Sequence, residues 1–453
     1  MSTRLRDVSD AERDSFTPAM WRLIWVSVTG VFLDGYDISV IGLALLQVKT
    51  VFHASALQVG LVGSSILVGN FIGALVFGRL GDVIGRRTMF LANVVFFVVF
   101  AVLSGLSTSI TQLIVWRFLL GIGIGGDYAL ASPILAEALP ANRRGRILTV
   151  NWGLAWLCGE ILSFAVGYVL LRTAGPDAWR WMLASGALPA LVVFALRRKM
   201  PESARWLLAK GRHEEAHDVA HALTGKRDIR ALVPHVDTPK SSHNPNTSAW
   251  RTLWTQYRRN TWYGMLNYVF EGAPFYAVSV FLPIILKDSG FAGSAASLAK
   301  GNLFLQMSGL LGILMMFLWV DRKGRKFMNY LGYGGVVLAL LLYESAFPPS
   351  LPLLMGIFVL IQVSVWAGPA STDNLLLGEL WPTRVRGTGA GIAAAAGRLS
   401  AIAGTLGLPL LIAVYGISGA LWLPLVFSAL GIVNTLVLGV ETSGKTLEQM
   451  WGH

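Results

Sequence analysis

Gly78-Arg79-Leu80-Gly81-Asp82-Val83-Ile84-Gly85-Arg86-Arg87 is a charged, glycine-flanked stretch between two apolar runs, and its core returns later in the chain. Asp321-Arg322-Lys323-Gly324-Arg325-Lys326 lies 239 positions further on. A second pair behaves alike. Glu137-Ala138-Leu139-Pro140 with Arg144-Gly145 reappears as Glu379-Leu380-Trp381-Pro382 with Arg386-Gly387, 242 positions apart. Connecting segments repeated at a nearly constant offset mean that the chain is two copies of one architectural unit.

The runs on either side of these stretches say what that unit is made of. Apolar residues make up 54% of the 453 residues and charged residues only 14%. A soluble domain carries about 25% charged residues to cover its surface, so a soluble enzyme is excluded and an integral membrane protein expected. A bilayer core about 30 Å thick takes about 20 apolar residues per helix. Runs of that size fall near 20–46, 57–78, 88–107, 110–133, 146–171, 179–197, 260–286, 295–320, 327–347, 351–377, 387–413 and 418–440. The expected fold is therefore all-α and integral to the membrane, with twelve transmembrane helices in two pseudo-symmetric six-helix bundles. The N-terminal bundle covers 20–197 and the C-terminal bundle 260–440. Residues 1–19 and 441–453 form the tails, and 198–259 a central loop. A substrate site between the halves, near the midplane, follows from such a repeat.

Positive charge sets the orientation. Arg79, Arg86, Arg87, Arg143, Arg144, Arg146, Arg322, Lys323, Arg325, Lys326, Arg384 and Arg386 all lie in even-numbered connections, on the side of the central loop. The odd-numbered connections hold Lys49, Arg172, Arg180, Lys287 and Lys300. Both termini are expected in the cytoplasm, and the formal charge of +12 is accounted for by the membrane rather than by nucleic acid. The first twenty residues lack an apolar signal-peptide core, so insertion is expected to use the first span. The one cysteine, Cys158, excludes an internal disulfide.

These motifs resemble those of the major facilitator superfamily over essentially the whole chain. The 78–87 stretch is similar to its loop 2–3 signature, and Arg117 with Gly121, Gly123 and Gly125 to its span-4 motif. Pro201-Glu202-Ser203-Ala204-Arg205-Trp206-Leu207 and Glu441-Thr442-Ser443-Gly444-Lys445-Thr446-Leu447 resemble sugar porter signatures. Leu33-Asp34-Gly35-Tyr36-Asp37 and Gly126-Asp127-Tyr128 resemble bacterial inner-membrane metabolite transporters, and phosphate–proton and aromatic-acid–proton symporters. Leu266 and Asn267 stand where hexose carriers place paired glutamines, and Asn374 and Arg398 where they place tryptophans. That departure points away from hexose chemistry while keeping the sugar porter scaffold.

Ionisable residues inside spans are costly, by about 2.5–3.5 kcal/mol each on insertion scales, and mark function. The resemblance aligns Asp37 with a proton-binding aspartate and Arg117 with its span-4 partner. Asp34, three residues before Asp37 on the same helix face, and Asp127 complete the proton-coupling candidates. Arg398 sits near mid-bilayer with no acid four residues away, and its planar fork suits a carboxylate or phosphate. Glu271, Asp373, Asn267 and Asn374 are candidate substrate contacts, with Glu160 a weaker one. Among the aromatics, Tyr36, Tyr128 and Tyr276 are expected to line the cavity, while Tyr268, Phe275 and Trp366 read as packing.

The remaining charged motifs read as gates. Asp82, Arg86 and Arg87 are expected to close the cytoplasmic side in the outward-facing state, with Asp321 and Arg325 as their counterparts, and Glu137–Arg144 and Glu379–Arg386 as paired clusters. In the central loop, Ala216, Val219, Ala220 and Leu223 form one helical stripe. His213, His217 and His221 share a face without a cysteine, and no metal site or cofactor is expected. Residues 233–248 read as a linker. The expectation is a proton-coupled symporter of the inner membrane importing a small polar metabolite, first an organic anion. A sugar or polyol, then inorganic phosphate or proton-driven efflux, follow. Its partners are the solute, protons and lipid, with no nucleic acid, and the chain is expected to be a monomer.

Overall fold

A chain crossing lipid must satisfy its own backbone amides, which leaves the apolar runs to coil as helices. The computed structural model describes residues 18–138, 141–224, 249–291 and 293–443, and among them there is no strand. The first five spans are Pro18–Val51, Ala56–Ile84, Arg86–Gly105, Ile110–Ala138 and Ala141–Thr173. The sixth is two helices, Ala178–Ser185 and Ala187–Arg197, meeting at Gly186. Arg258–Asp288, Ala295–Lys323 and Arg325–Ser345 are the seventh to ninth, and the tenth is broken at Gly368 into Leu351–Ala367 and Pro369–Glu379. Thr383–Val437 holds the last two, separated at Gly416, where φ is 69°. With that break counted, twelve crossings form two six-helix bundles.

Two connections are tighter than the sequence reading allows. The second and third spans are separated by Gly85 alone, and the eighth and ninth by Gly324 alone. Both glycines take positive φ, 121° and 93°, which side chains rarely adopt. The charged motif residues before and after each glycine are therefore helical, not loop.

Within the N-terminal bundle, spans 2 and 4 interlock through two glycine pairs. A Cβ on Gly69 or Gly73 would lie 2.0 or 2.1 Å from the carbonyl oxygens of Phe118 and Ile122. One on Gly121 or Gly125 would lie 2.1 or 2.0 Å from those of Ile66 and Asn70. This is the small-xxx-small contact that lets helices approach where lipid removes the hydrophobic drive. At the end of the molecule away from the basic connections, the halves themselves meet closely. A Cβ on Gly42 would fall 2.4 Å from the Val280 carbonyl oxygen, and one on Gly60 2.7 Å from that of Leu406.

Leu162, Val169, Leu188, Leu311 and Val437 are exposed, as expected of a belt facing lipid tails. Cys158 is exposed on the same helix as Leu162 and Val169. In the central segment, helices Ala204–Ala209, His213–Thr224 and Ala249–Thr255 form. Ala216 is buried, and Val219 packs beside Phe77, Phe90 and Met200. Residues 1–17 and 444–453 of the expected tails, the 233–248 linker and the side chains of Asp82, Tyr128, Glu137 and Arg144 lie outside the described residues.

Candidate substrate and proton sites

Two buried ion pairs occupy the N-terminal bundle, and they are built differently. Arg117 Nη1 lies 2.7 Å from Asp37 Oδ1 and 2.6 Å from Oδ2, with both side chains almost wholly buried. The Nε and Nη2 of Arg117 have no hydrogen-bond acceptor among the described residues. One nitrogen thus carries the whole contact. Arg197, in contrast, grips Asp127 with two, Nη1 to Oδ1 at 2.5 Å and Nη2 to Oδ2 at 3.0 Å. Asn93 also donates to Asp127 Oδ1, Thr29 Oγ1 accepts from Arg197 at 3.3 Å, and the Phe90 ring lies 4.5 Å from the guanidinium. A parallel fork with extra hydrogen bonds is the geometry that offsets desolvation of a buried pair. Asp127 is therefore held by a clamp, and Asp37 by a contact with unused donors beside it.

Between the halves, Tyr276 of span 7 collects groups from three other helices. Arg398 Nη1, midway between Thr383 and Gly416, donates to the Tyr276 hydroxyl at 2.5 Å, with its guanidinium carbon 5.3 Å from the ring centre. Trp156 of span 5 meets the same ring edge-on at 5.8 Å and Phe275 at 5.7 Å, and Phe275 in turn meets Trp366 at 5.8 Å. Asp34, Arg398 and Glu271 are the charged groups acting on the Tyr276 hydroxyl. Glu160 accepts from Trp156 Nε1 at 3.0 Å. Pro274 lies inside span 7, one turn from Phe270, whose carbonyl it leaves without a helical donor. Trp156 and Arg398 stand 242 positions apart, the offset that relates Glu137 to Glu379. They are thus equivalent positions in the two halves, both engaged on Tyr276.

The structure separates two groups that the sequence reading put together. Asp34 and Asp37 are a turn apart but have different neighbours, Asp34 near Tyr276 and Asp37 at Arg117. Three residues along a helix leave side chains about 60° apart, enough to aim them at different helices. Tyr36 is not brought to the Tyr276 group; its hydroxyl is shared with Ser185 at 2.7 Å, inside the N-terminal bundle.

In the C-terminal bundle, Asn267 donates to Asp373 Oδ1, and its own oxygen accepts from Asn329 at 3.2 Å. Thr372 donates to Asn329, and Tyr333 donates to the Asn267 backbone at 3.2 Å. Asn374 is half-buried beside Asp373.

Toward the basic end, two glutamates that the gate reading did not include fasten the one-residue breaks. Glu202 Oε1 accepts from the backbone of Arg86 at 2.9 Å and of Arg87 at 3.1 Å. Glu441 accepts from Arg325 at 3.0 Å and Lys326 at 3.1 Å. Each carboxylate thereby caps the positive end of a helix. They are 239 positions apart, as are the arginines they hold, which was the available signal. Arg86 also reaches Ser203 at 3.4 Å, and Arg87 the Arg198 carbonyl at 2.8 Å. Arg325 binds Glu379 at 3.0 and 3.2 Å and Asp321 at 3.1 Å, and Thr442 donates to Glu379. Arg386 donates to the Trp381 carbonyl at 3.1 Å.

A twelve-helix repeat with ion pairs and a polar, aromatic cluster between its halves defines a multi-pass membrane transporter. Residues 23–451 match the family described as sugar (and other) transporter, and the chain belongs to it, on the sugar porter-like branch of the major facilitator superfamily. It is 32% identical to the inner membrane metabolite transport protein YgcS of Escherichia coli, over 84% of this chain and 83% of that one. It is 31% identical to the major myo-inositol transporter IolT of Bacillus subtilis, over 94% and 93%. An inward-open structure of the xylose transporter XylE from E. coli shares the fold, with a TM-score of 0.79, 21% identity and coverage of 96% and 99%. The chain is accordingly a metabolite transporter and not an enzyme.

Proposed function

We propose that the protein is a proton-coupled symporter of the inner membrane, with both termini in the cytoplasm, importing a small organic anion by alternating access. The observation that carries the solute class is the Arg398–Tyr276 hydrogen bond at 2.5 Å, between the halves and among ring faces. A guanidinium in that position offers paired donors to a carboxylate, and Tyr276, Trp156 and Phe275 offer edges and faces to the carbon skeleton. Asp37 is the proton site. Among the described residues its bonded cation is Arg117, which holds it by one nitrogen, so a small displacement during rocking removes the charge that favours the ionised carboxylate. The tight approach at Gly42 and Gly60 supports a state closed at that end.

Polyol or sugar symport is the second reading, favoured by the likeness to IolT and by amides such as Asn267 near the cluster. Purified protein in liposomes containing a pH-sensitive dye separates the two. Pooled small organic acids should acidify the lumen, and Arg398→Ala should abolish the signal. Acidification by polyols or sugars in both proteins would replace the anion reading with the second. No acidification by either pool would refute proton symport of these solutes.

A further inference from the structure

Setting aside those within three residues of a span's end, six carboxyls lie in the spans: Asp34, Asp37, Asp127, Glu160, Glu271 and Asp373. Three arginines lie among them, and each has work to do. Arg117 is on Asp37, Arg197 on Asp127, and Arg398 on Tyr276 with Glu271 in its field. Asp373 is the carboxyl furthest from compensation. It is 3% exposed, its Oδ1 takes the Asn267 amide, and its Oδ2 has no hydrogen-bond partner among the described residues.

Among the described residues no cation is bonded to it. Asn267 of span 7 bonds to it, Tyr263, Tyr268 and Glu271 of span 7 and Tyr333 of span 9 lie within electrostatic reach, and Asn329 of span 9 is bonded to Asn267. The charged group acting on it is Glu271, another acid, one turn beyond Asn267. Arg398 of span 11 acts on Glu271 and Tyr268 instead. Asn267 is itself fixed, because its oxygen accepts from Asn329 and its backbone oxygen from Tyr333. An ionised carboxylate in such a place would pay desolvation without a counter-charge, whereas a carboxylic acid is neutral.

We infer that Asp373 is a second proton-binding site, in the C-terminal half, occupied by a proton in the conformation seen here. The proton comes from water and is carried on Oδ2, the oxygen that Asn267 leaves unused. The two halves then hold protons by opposite devices. Asp37 is governed by the arginine bonded to it, and Asp373 by the acid at Glu271, with no cation bonded to it among the described residues. Only the use of this proton in the cycle rests on the proposed symport; its presence does not.

The test needs no solute. The full-length protein in lipid nanodiscs is studied by infrared spectroscopy near neutral pH, reading the carboxylic-acid carbonyl stretch that shifts on hydrogen–deuterium exchange. Wild type should carry a component that Asp373→Asn lacks. Unbuffered titration to alkaline pH should release one proton fewer from the variant. The amide is isosteric with the neutral acid, and Asp373→Ser serves in both measurements if the amide variant does not insert. Identical carbonyl bands and equal proton counts would overturn the inference. They would leave the liposome result at Asp37 and Arg398 untouched.

Discussion

Arg117 meets Asp37 through a single nitrogen, Nη1, while its Nε and Nη2 face no acceptor among the described residues. A buried guanidinium with idle donors is not at its best-satisfied geometry, and a position that engaged them would be favoured by that term. Asp37→Asn should therefore abolish proton-driven accumulation of the acidifying solute while preserving its exchange between two sides of the membrane. Counterflow in liposomes measures both. Accumulation that survives the change would make the pair a static brace.

The clamp on Asp127 predicts a different phenotype. Asp127→Ala leaves Arg197 buried with its carboxylate removed, at a cost of about 3–5 kcal/mol. Thermal unfolding of the purified protein should drop well below that of Asp37→Asn, and the double change Asp127→Leu with Arg197→Met should recover much of the loss. Equal Tm values for Asp127→Ala and wild type would contradict the clamp.

Tyr276→Phe removes one hydroxyl from the central cluster and keeps the ring. A hydrogen bond to a charged group contributes about 1.5–3 kcal/mol, which corresponds to ~10–100-fold in half-saturation for solute. Uptake titrations should display that rise with the maximal rate less affected. An unchanged half-saturation would detach Tyr276, and the orientation of Arg398, from binding.

Glu202 and Glu441 hold equivalent helix starts and should behave as equivalents. Replacing either by Gln should cost about 0.5–2 kcal/mol, the range of a lost cap. The sites lie in different halves, so the double variant should lose the sum. Unfolding midpoints of the four proteins test the point; a double variant no worse than either single one would rule out independent caps.

Gly60→Leu would drive a side chain into the Leu406 backbone, against which even a Cβ comes within 2.7 Å. The far end should then fail to close, and transport should stop in a protein that still elutes as a folded species. In a Cys158→Ser background, a cysteine placed at Thr405 should react faster with an impermeant maleimide when Gly60→Leu is present.

The helical architecture was legible because lipid imposes one rule on every span, and length, hydropathy and the 239–242 offsets report it directly. The breaks were less so. Arg79 to Arg87 read as a connection because charge ordinarily marks the water, yet these residues are helical up to Gly85 and again from Arg86. Arg197 was not among the candidates; it closes the 179–197 run beside Arg198 and Lys199, yet it is fully buried on Asp127. Nothing local in the sequence distinguishes a base that anchors at the membrane surface from one that turns inward. Trp156 was one tryptophan among 16, and its place became visible through its contacts with Tyr276, Phe275 and Glu160.

Cys158, the one thiol in the chain, points outward from span 5 alongside Leu162 and Val169, about a turn and a half of helix from Gly153, which packs by Trp366. A lipid-soluble maleimide dye would attach there without any prior removal of other cysteines. It would sit on the same helix as Trp156 and Glu160, outside the solute path, and would follow the turning of that helix in the unaltered protein.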